Sequence, residues 1–128
     1  MPSFAADRLI DILRQTIIAL VRDEGRDLTA RQLAVFLMCY LTGDKQTVRG
    51  LADQLHIARP PITRALDRLE ELDLALRQPD PADRRSVLVH RTAHGEAFMR
   101  ELSKIVVDAE RATRSMRWQI PRHKPKSE

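Results

Sequence analysis

The sequence predicts a mainly α-helical fold with one small β-hairpin. Three observations carry that reading. Apolar residues recur at three-to-four spacing over most of the chain. A short capped helix is followed, after a three-residue turn, by a helix that starts on two prolines. Two strand-like runs flank the Pro-broken, charge-dense segment "PDPADRR" (79–85). A length of 128 residues makes one compact domain the default, assigned here to residues 1–119.

Residues 4–24 read as an amphipathic helix, with Leu9, Ile10, Leu13, Ile17, Leu20 and Val21 on one stripe and Gly25 as a stop. Asp7, Asp11 and Glu24 are assigned to its solvated face. Thr29 is the expected N-cap of "ARQLAVFLMCYLT" (30–42), a helix so apolar that it belongs at the centre of the core, ended by Gly43. "TVRGLADQLHI" (47–57) reads as a third, short helix capped by Thr47, with Val48, Leu51, Ala52 and Leu55 on its buried stripe. His56, Ile57 and Ala58 separate it from "RPPITRALDRLEELDL", a helix running to about residue 73. Pro60 and Pro61 fall in its first turn, where a missing N–H costs nothing. Helix, three-residue turn, helix is the signature of a helix-turn-helix, over 47–73. "ALRQ" (75–78) and "SVLVHR" (86–91), with seven residues between them, predict a hairpin with a long tip, a wing over 74–91. Thr92 is the expected cap of the last helix, 93–117, whose Phe98, Leu102, Ile105, Ala109, Ala112 and Met116 are spaced like a heptad seam. "IPRHKPKSE" (120–128) reads as a basic, disordered tail.

Composition narrows the function. The net charge is +4 and the pI about 9.8, a balance that favours polyanionic partners. Aromatics are only 4%, against a stacking platform for single strands, and four glycines leave little for phosphate-cradling loops. The one cysteine, Cys39, excludes an internal disulfide and fits a reducing compartment; within "LAVFLMCYL" it reads as a small buried hydrophobe rather than a sensing thiol. No apolar run approaches the ~18 residues of a membrane span. The N-terminus carries acids and lacks the apolar core of a signal peptide, so a cytoplasmic protein is expected. His90 and His94 lack the further ligands a metal site needs, and no cofactor is expected. Nothing resembles a nucleophile elbow, a P-loop or a carboxylate pair, so the chain is not expected to be an enzyme.

The fourth helix carries the chemistry. At about 100° per residue, Ile62, Leu66 and Leu69 share one face, and Pro61, Arg64, Ala65 and Arg68 lie roughly opposite. That second face is cationic with small neighbours and can approach a duplex closely. An arginine can fork onto guanine or phosphate, and the Thr63 hydroxyl suits phosphate. Arg59 and Pro61, at the start of the helix, are grouped with the DNA-facing residues. The acids Glu70, Glu71 and Asp73 lie towards the other end, which suits an N-terminus-first approach to the major groove. A hairpin after such a helix places its tip over the adjacent minor groove, where a guanidinium meets concentrated negative potential. Of Arg84 and Arg85, one is expected to be tied down by Asp83 and the other to project. The plainer alternative is a solvated helix with Asp67 and Glu71 paired to nearby arginines; the capped helix before it and the wing after it favour DNA.

The stretches "TVRGLADQLHIARPPITRALDRLEELDLA" and "DPADRRSVLVHRTAHGEAF" resemble the MarR family of bacterial winged helix-turn-helix regulators over about residues 30–100, and the flanking helices do so in pattern. The resemblance implies a homodimer on double-stranded DNA at a pseudo-palindromic operator, usually acting as a repressor, with helices 4–24 and 93–117 forming the dimerisation region. It also implies release of DNA by a small aromatic or anionic effector. Thr63, Arg64 and Arg68 match the recognition-helix contacts, Arg84 the projecting wing arginine, and Asp83 with Arg85 the pair that braces the wing. Three residues depart from the pattern: Ala58 stands where a serine cap is common, Asp73 where a glycine is frequent, and Arg91 in place of the leucine of a Leu-Thr pair. The family's closing helix is expected to be reduced or merged. The alternative of another class is a winged-helix protein-interaction module that does not read DNA; such a face would carry exposed aromatics or methionines.

Overall fold

The structure, a computed structural model, describes residues 4–23 and 27–115. Its elements run α1 (Phe4–Arg22), α2 (Ala30–Leu41), β1 (Gln46–Thr47), α3 (Val48–Leu55), α4 (Arg59–Glu71), β2 (Leu76–Asp80), β3 (Asp83–His90) and α5 (Ala93–Ser115). The strands form one antiparallel sheet in the order β1-β3-β2. The expected stop at Gly25, the last seam position Met116 and the tail 120–128 lie outside the described residues.

The starts of α2, α3, α4 and α5 have local causes. Thr29 accepts from the N–H of Gln32 at 3.1 Å, and the Gln32 side chain accepts from the Thr29 N–H at 3.0 Å, a complete capping box for α2. Thr47 caps α3 by accepting from the Gly50 N–H at 2.9 Å. Thr92 caps α5 by accepting from the Gly95 N–H at 2.8 Å. Ala58 gives α4 no side-chain cap, and the prolines of its first turn stand in. Two residues hold left-handed backbone: His56 (φ 54) in the turn between α3 and α4, and Asp73 (φ 56) just past the α4 C-cap Leu72. Both ends of α4 are thus sharp reversals, and Asp is among the side chains that tolerate this conformation best.

The core lies where α2 meets α3, α4 and α5. Val35, Phe36, Leu51, Ile62, Leu66, Leu69 and Leu74 are fully buried, with Phe98 almost so. Phe36 stacks on Tyr40, centroids 4.3 Å apart, and meets Phe98 edge-on at 5.1 Å. The Tyr40 hydroxyl donates to the Leu74 carbonyl at 2.7 Å and accepts from the Thr92 N–H at 3.1 Å. One phenol therefore joins α2 to the end of the α4 turn and to the start of α5. Arg91, the residue in place of the usual leucine, is exposed and closes the same C-terminal end of α2. Its guanidinium donates to the carbonyls of Cys39 (2.9 Å) and Thr42 (2.6 Å) and lies 5.6 Å from the Tyr40 ring centre. Those carbonyls have no helical partner, and a cation suits that end of the helix dipole.

Several sequence expectations change. The seven-residue wing tip is a two-residue turn, Pro81–Ala82, and Asp83, Arg84 and Arg85 belong to β3. Asp80 accepts from the Ala82 N–H at 2.9 Å and Asp83 from the Arg85 N–H at 3.0 Å. These carboxylates tighten the turn through the backbone, so charged residues extend the ladder instead of looping out. The pair β1 was not foreseen, because two residues carry no periodicity. Ala65 is buried beside Ile62 rather than on the cationic face. Asp11 is buried, held by Arg14 (2.8 Å) and Gln15 (2.9 Å), not solvated.

The largest change concerns α1. It packs along α5, where Arg8 donates to Glu110 (2.5 Å) and Thr113 (3.3 Å), and it buries Asp11, Ile12, Thr16 and Leu20. The apolar stripe faces away: Leu9, Ile10, Leu13, Ile17 and Val21 are 47–65% exposed. On α5 the seam is used within the chain, with Phe98, Leu102 and Ala109 buried, while Val106 and Val107 are exposed.

The Tyr40 junction leaves no room at residue 95. A Cβ on Gly95 would overlap the Tyr40 hydroxyl and stand 2.6 Å from the Leu74 carbonyl oxygen. Gly95→Ala is therefore expected to destabilise the fold by about 3 kcal/mol, despite alanine's better helix propensity. Tyr40→Phe, which strands the Leu74 carbonyl and the Thr92 N–H, should cost ~1–3 kcal/mol. Urea midpoints check both, and a neutral Gly95→Ala would contradict this account of the junction.

Candidate nucleic-acid interface

The residues expected to meet DNA are distributed over the start of α4 and the start of β3. Between these elements and α3 lies an open concavity of about 700 Å³, lined by Thr47, Val48, Arg49, Arg59, Thr63, Arg77, Asp83, Arg85, Ser86 and Val87. Of the expected residues, Arg59, Thr63, Asp83 and Arg85 come together here. Arg64, Arg68 and Arg84 lie outside this lining, with Arg64 and Arg84 exposed. Pro61 is half-buried at the first turn of α4. Arg68 is drawn towards the C-terminal half of its helix by Glu71 at 3.1 Å, an exposed pair of small energetic weight.

The start of α4 is unusual as an anion site. Helix N-termini attract phosphate through unpaired N–H groups. Pro60 and Pro61 have no N–H, so the first turn offers little beyond the Arg59 amide. Attraction here rests on side chains. Arg49, Arg59, Arg64, Arg84 and Arg85 are all exposed, and none forms an ion pair among the described residues. The Asp83 carboxylate bonds the Arg85 backbone N–H rather than either guanidinium, so both wing arginines keep their donors free for a partner.

Arg77 is the exception among these cations. It donates from its backbone N–H (2.7 Å) and Nε (2.9 Å) to Glu70 and from Nη2 to Asp67, so its charge is compensated. The Arg77 hydrogen bonds hold the Glu70 carboxyl below the usual carboxylate range, and Glu70 and Asp67 hold the guanidinium above its own. Sequence reasoning missed Arg49 and Arg77. Arg49 carried a signal, since it follows the Thr47 cap by two residues and must lie in the first turn of α3. Arg77 carried none, because its partners are visible only once β2 is laid beside α4.

Cys39 lies away from this surface, buried on α2. Burial pushes its thiol up to about 11, against the opposing pull of Arg91. Set against an ordinary 9.0, this leaves ~100-fold less thiolate at neutral pH. A thiolate-selective reagent is expected to modify the native chain at least that much more slowly than the urea-unfolded chain; equal rates would show an accessible, activated thiol.

No helix among the described residues is long and apolar enough to cross a membrane. Residues 28–87, from the approach to α2 into β3, match the MarR family model. The chain is 30% identical over 92 residues to YsmB, an uncharacterized HTH-type transcriptional regulator of Bacillus subtilis (strain 168). That alignment covers 67% of this chain and 62% of YsmB, so the chain matches less than two thirds of that relative's length. A mutant of MarR from E. coli superposes with a TM-score of 0.63 at 27% identity, over 86% of this chain and 78% of its own. The S. aureus MepR–DNA complex superposes with a TM-score of 0.70, covering 88% of this chain and 90% of its own; at 20% identity it bears on the fold alone. The helix-turn-helix and most of the wing lie inside the matched segment, and the fold around them superposes as well: over residues 28–87 the chain is similar to the MarR family, and its fold is that of solved MarR regulators.

Proposed function

We propose that this protein is a transcriptional repressor that binds duplex DNA as a homodimer. It reads a pseudo-palindromic operator with α4 in the major groove and the wing over the minor groove. A small aromatic or anionic effector releases it. The observation that carries the reading is the unpaired cationic surface formed by Arg49, Arg59, Arg64, Arg84 and Arg85. Like charges without carboxylate partners repel one another in the free protein, and a phosphate backbone relieves that repulsion and releases counterions.

In this reading Arg64 meets a base edge, Thr63, Arg59 and Arg68 meet phosphate, and half-buried Pro61 permits close approach. Arg84 enters the minor groove, and Asp83 orders the base of the wing through the Arg85 amide. The helix-turn-helix occupies 47–73 and the wing 74–91. The outward apolar stripe of α1, with Val106 and Val107, supports dimerisation, since a two-fold contact covers it with a copy of itself. A two-fold pair sets the two α4 helices for half-sites about one DNA turn, ~34 Å, apart. The effector and repressor parts rest on the similarity to the MarR family, and a cytoplasmic location goes with them.

Selection of duplexes from a random pool is expected to return an inverted repeat. On that repeat, Arg64→Ala should cost ~1–3 kcal/mol per half-site and relax base choice at one position. Arg84→Ala should shrink the salt slope by about two per dimer and flatten preference for A·T-rich flanks. Binding titrations against salt check both. If no duplex is enriched and binding is insensitive to Arg64→Ala and Arg84→Ala alike, the interaction-module reading replaces this one.

The assembly is checked by sedimentation. The native chain should be a dimer at micromolar concentration. Ile10→Glu with Leu13→Glu, at positions 65% and 52% exposed in the single chain, should give a folded monomer. A monomeric native chain would remove the dimer from the proposal.

A further inference from the structure

Arg77 spans two elements that the DNA-binding reading treats as separate. It lies on β2, opposite Val89 of β3, and so belongs to the wing. Its side-chain hydrogen bonds all go to α4. Nη1 donates to the Thr63 carbonyl at 3.4 Å, Nη2 to Asp67, and Nε and Nη2 to Glu70 at 2.9 and 3.3 Å. Glu70 also accepts the Arg77 backbone N–H at 2.7 Å. Residues 63, 67 and 70 fall at i, i+4 and i+7, a single stripe of the helix. The guanidinium therefore lies along about two turns of α4, with its side chain 21% exposed. A fork with several donors fixes orientation as well as distance, which a single ammonium does not.

Among the described residues, no other ion pair joins the wing to α4. We propose that Arg77 is the positioning residue of the wing: by clasping β2 to the Thr63–Glu70 stripe it sets where the β3 arginines stand relative to the recognition helix. The proposal rests on the DNA-binding reading for its consequence, though not for the clasp itself. It implies that groove reading by α4 and by Arg84 is coupled through a residue that need touch no nucleic acid.

The test uses the full chain in two arms. In the first, hydrogen exchange is followed without DNA. Arg77→Gln should speed exchange of the β2–β3 amides about tenfold and leave α5 amides unchanged, with Arg77→Lys recovering part of the protection. In the second, binding to a fluorescent mixed-sequence duplex with A·T-rich flanks is measured for Arg84→Ala in both backgrounds. The loss should be about tenfold with Arg77 present and under about threefold with Gln at 77. Unchanged hairpin exchange, or an equal Arg84→Ala loss in both backgrounds, overturns the proposal. Should Arg77→Gln unfold, Asp67→Asn removes one leg of the clasp at a half-exposed position, and a hairpin exchanging no faster there overturns it equally. A native chain that binds no duplex overturns the DNA reading instead, and the exchange arm still decides the clasp.

Discussion

The phenol of Tyr40 stands where three chain segments converge, and it fits only because residue 95 has no side chain. Its hydroxyl is buried and takes both a donor and an acceptor from backbone that the helices leave unpaired. Lost satisfaction at such a site costs on the order of 1–3 kcal/mol per group. Its ring is pinned from below by Phe36 and flanked by Arg91, which in turn closes the end of α2. The end of α4 and the start of α5 are thereby both referenced to α2. Thr92 adds a second tie by donating to the Asp73 carbonyl at 2.6 Å, across the left-handed turn that launches the wing.

From that junction outward the molecule divides its polar and apolar resources unevenly. The helix-turn-helix and wing are closely satisfied: the Thr47 cap of α3, a buried Gln46 bonded to Thr42 and Gln54, and the Arg77 clasp. Their surplus is positive charge. On α1 the surplus is hydrocarbon, because the helix turns Asp11 and Thr16 inward along with Ile12 and Leu20, and leaves Leu9, Ile10, Leu13, Ile17 and Val21 outward. Burying the polar stripe is tolerable since Thr16 bonds the Ile12 carbonyl at 2.8 Å and Asp11 is held by Arg14 and Gln15. A cationic surface at one end and an apolar one at the other give the chain two distinct appetites.

How much of this was legible follows from the range of the interactions involved. Thr29, Thr47 and Thr92 were readable as caps because a cap and its helix are neighbours in sequence. The three-residue turn and the Pro60–Pro61 start located α4 for the same reason. Periodicity identified the α1 stripe but not the direction it faces, since an amphipathic pattern reports only that one side is apolar. The wing tip was misjudged because its prolines and charges read as a long loop in which Asp83 ties down an arginine side chain, whereas Asp80 and Asp83 each bond an amide two residues on. Ala65 sits 60° from Ile62 by helical geometry, near enough to the core edge for its small side chain to be taken inside. Arg77, Arg91 and Gly95 act over separations of 7 to 55 residues in sequence. Nothing local marks them, although the substitution of arginine for leucine at 91 showed that something there differs.

The sheet order leaves β2 at an open edge, and Pro79 stands in that edge next to the irregularity at Asp80. A proline presents no N–H to a strand arriving from another molecule, and the break in register bends the ladder away from it. The short wing is thus a poor template for further strand addition even where many copies crowd together. A hairpin that exposes Leu76 and Val87 can project into solvent without becoming a seed for aggregation.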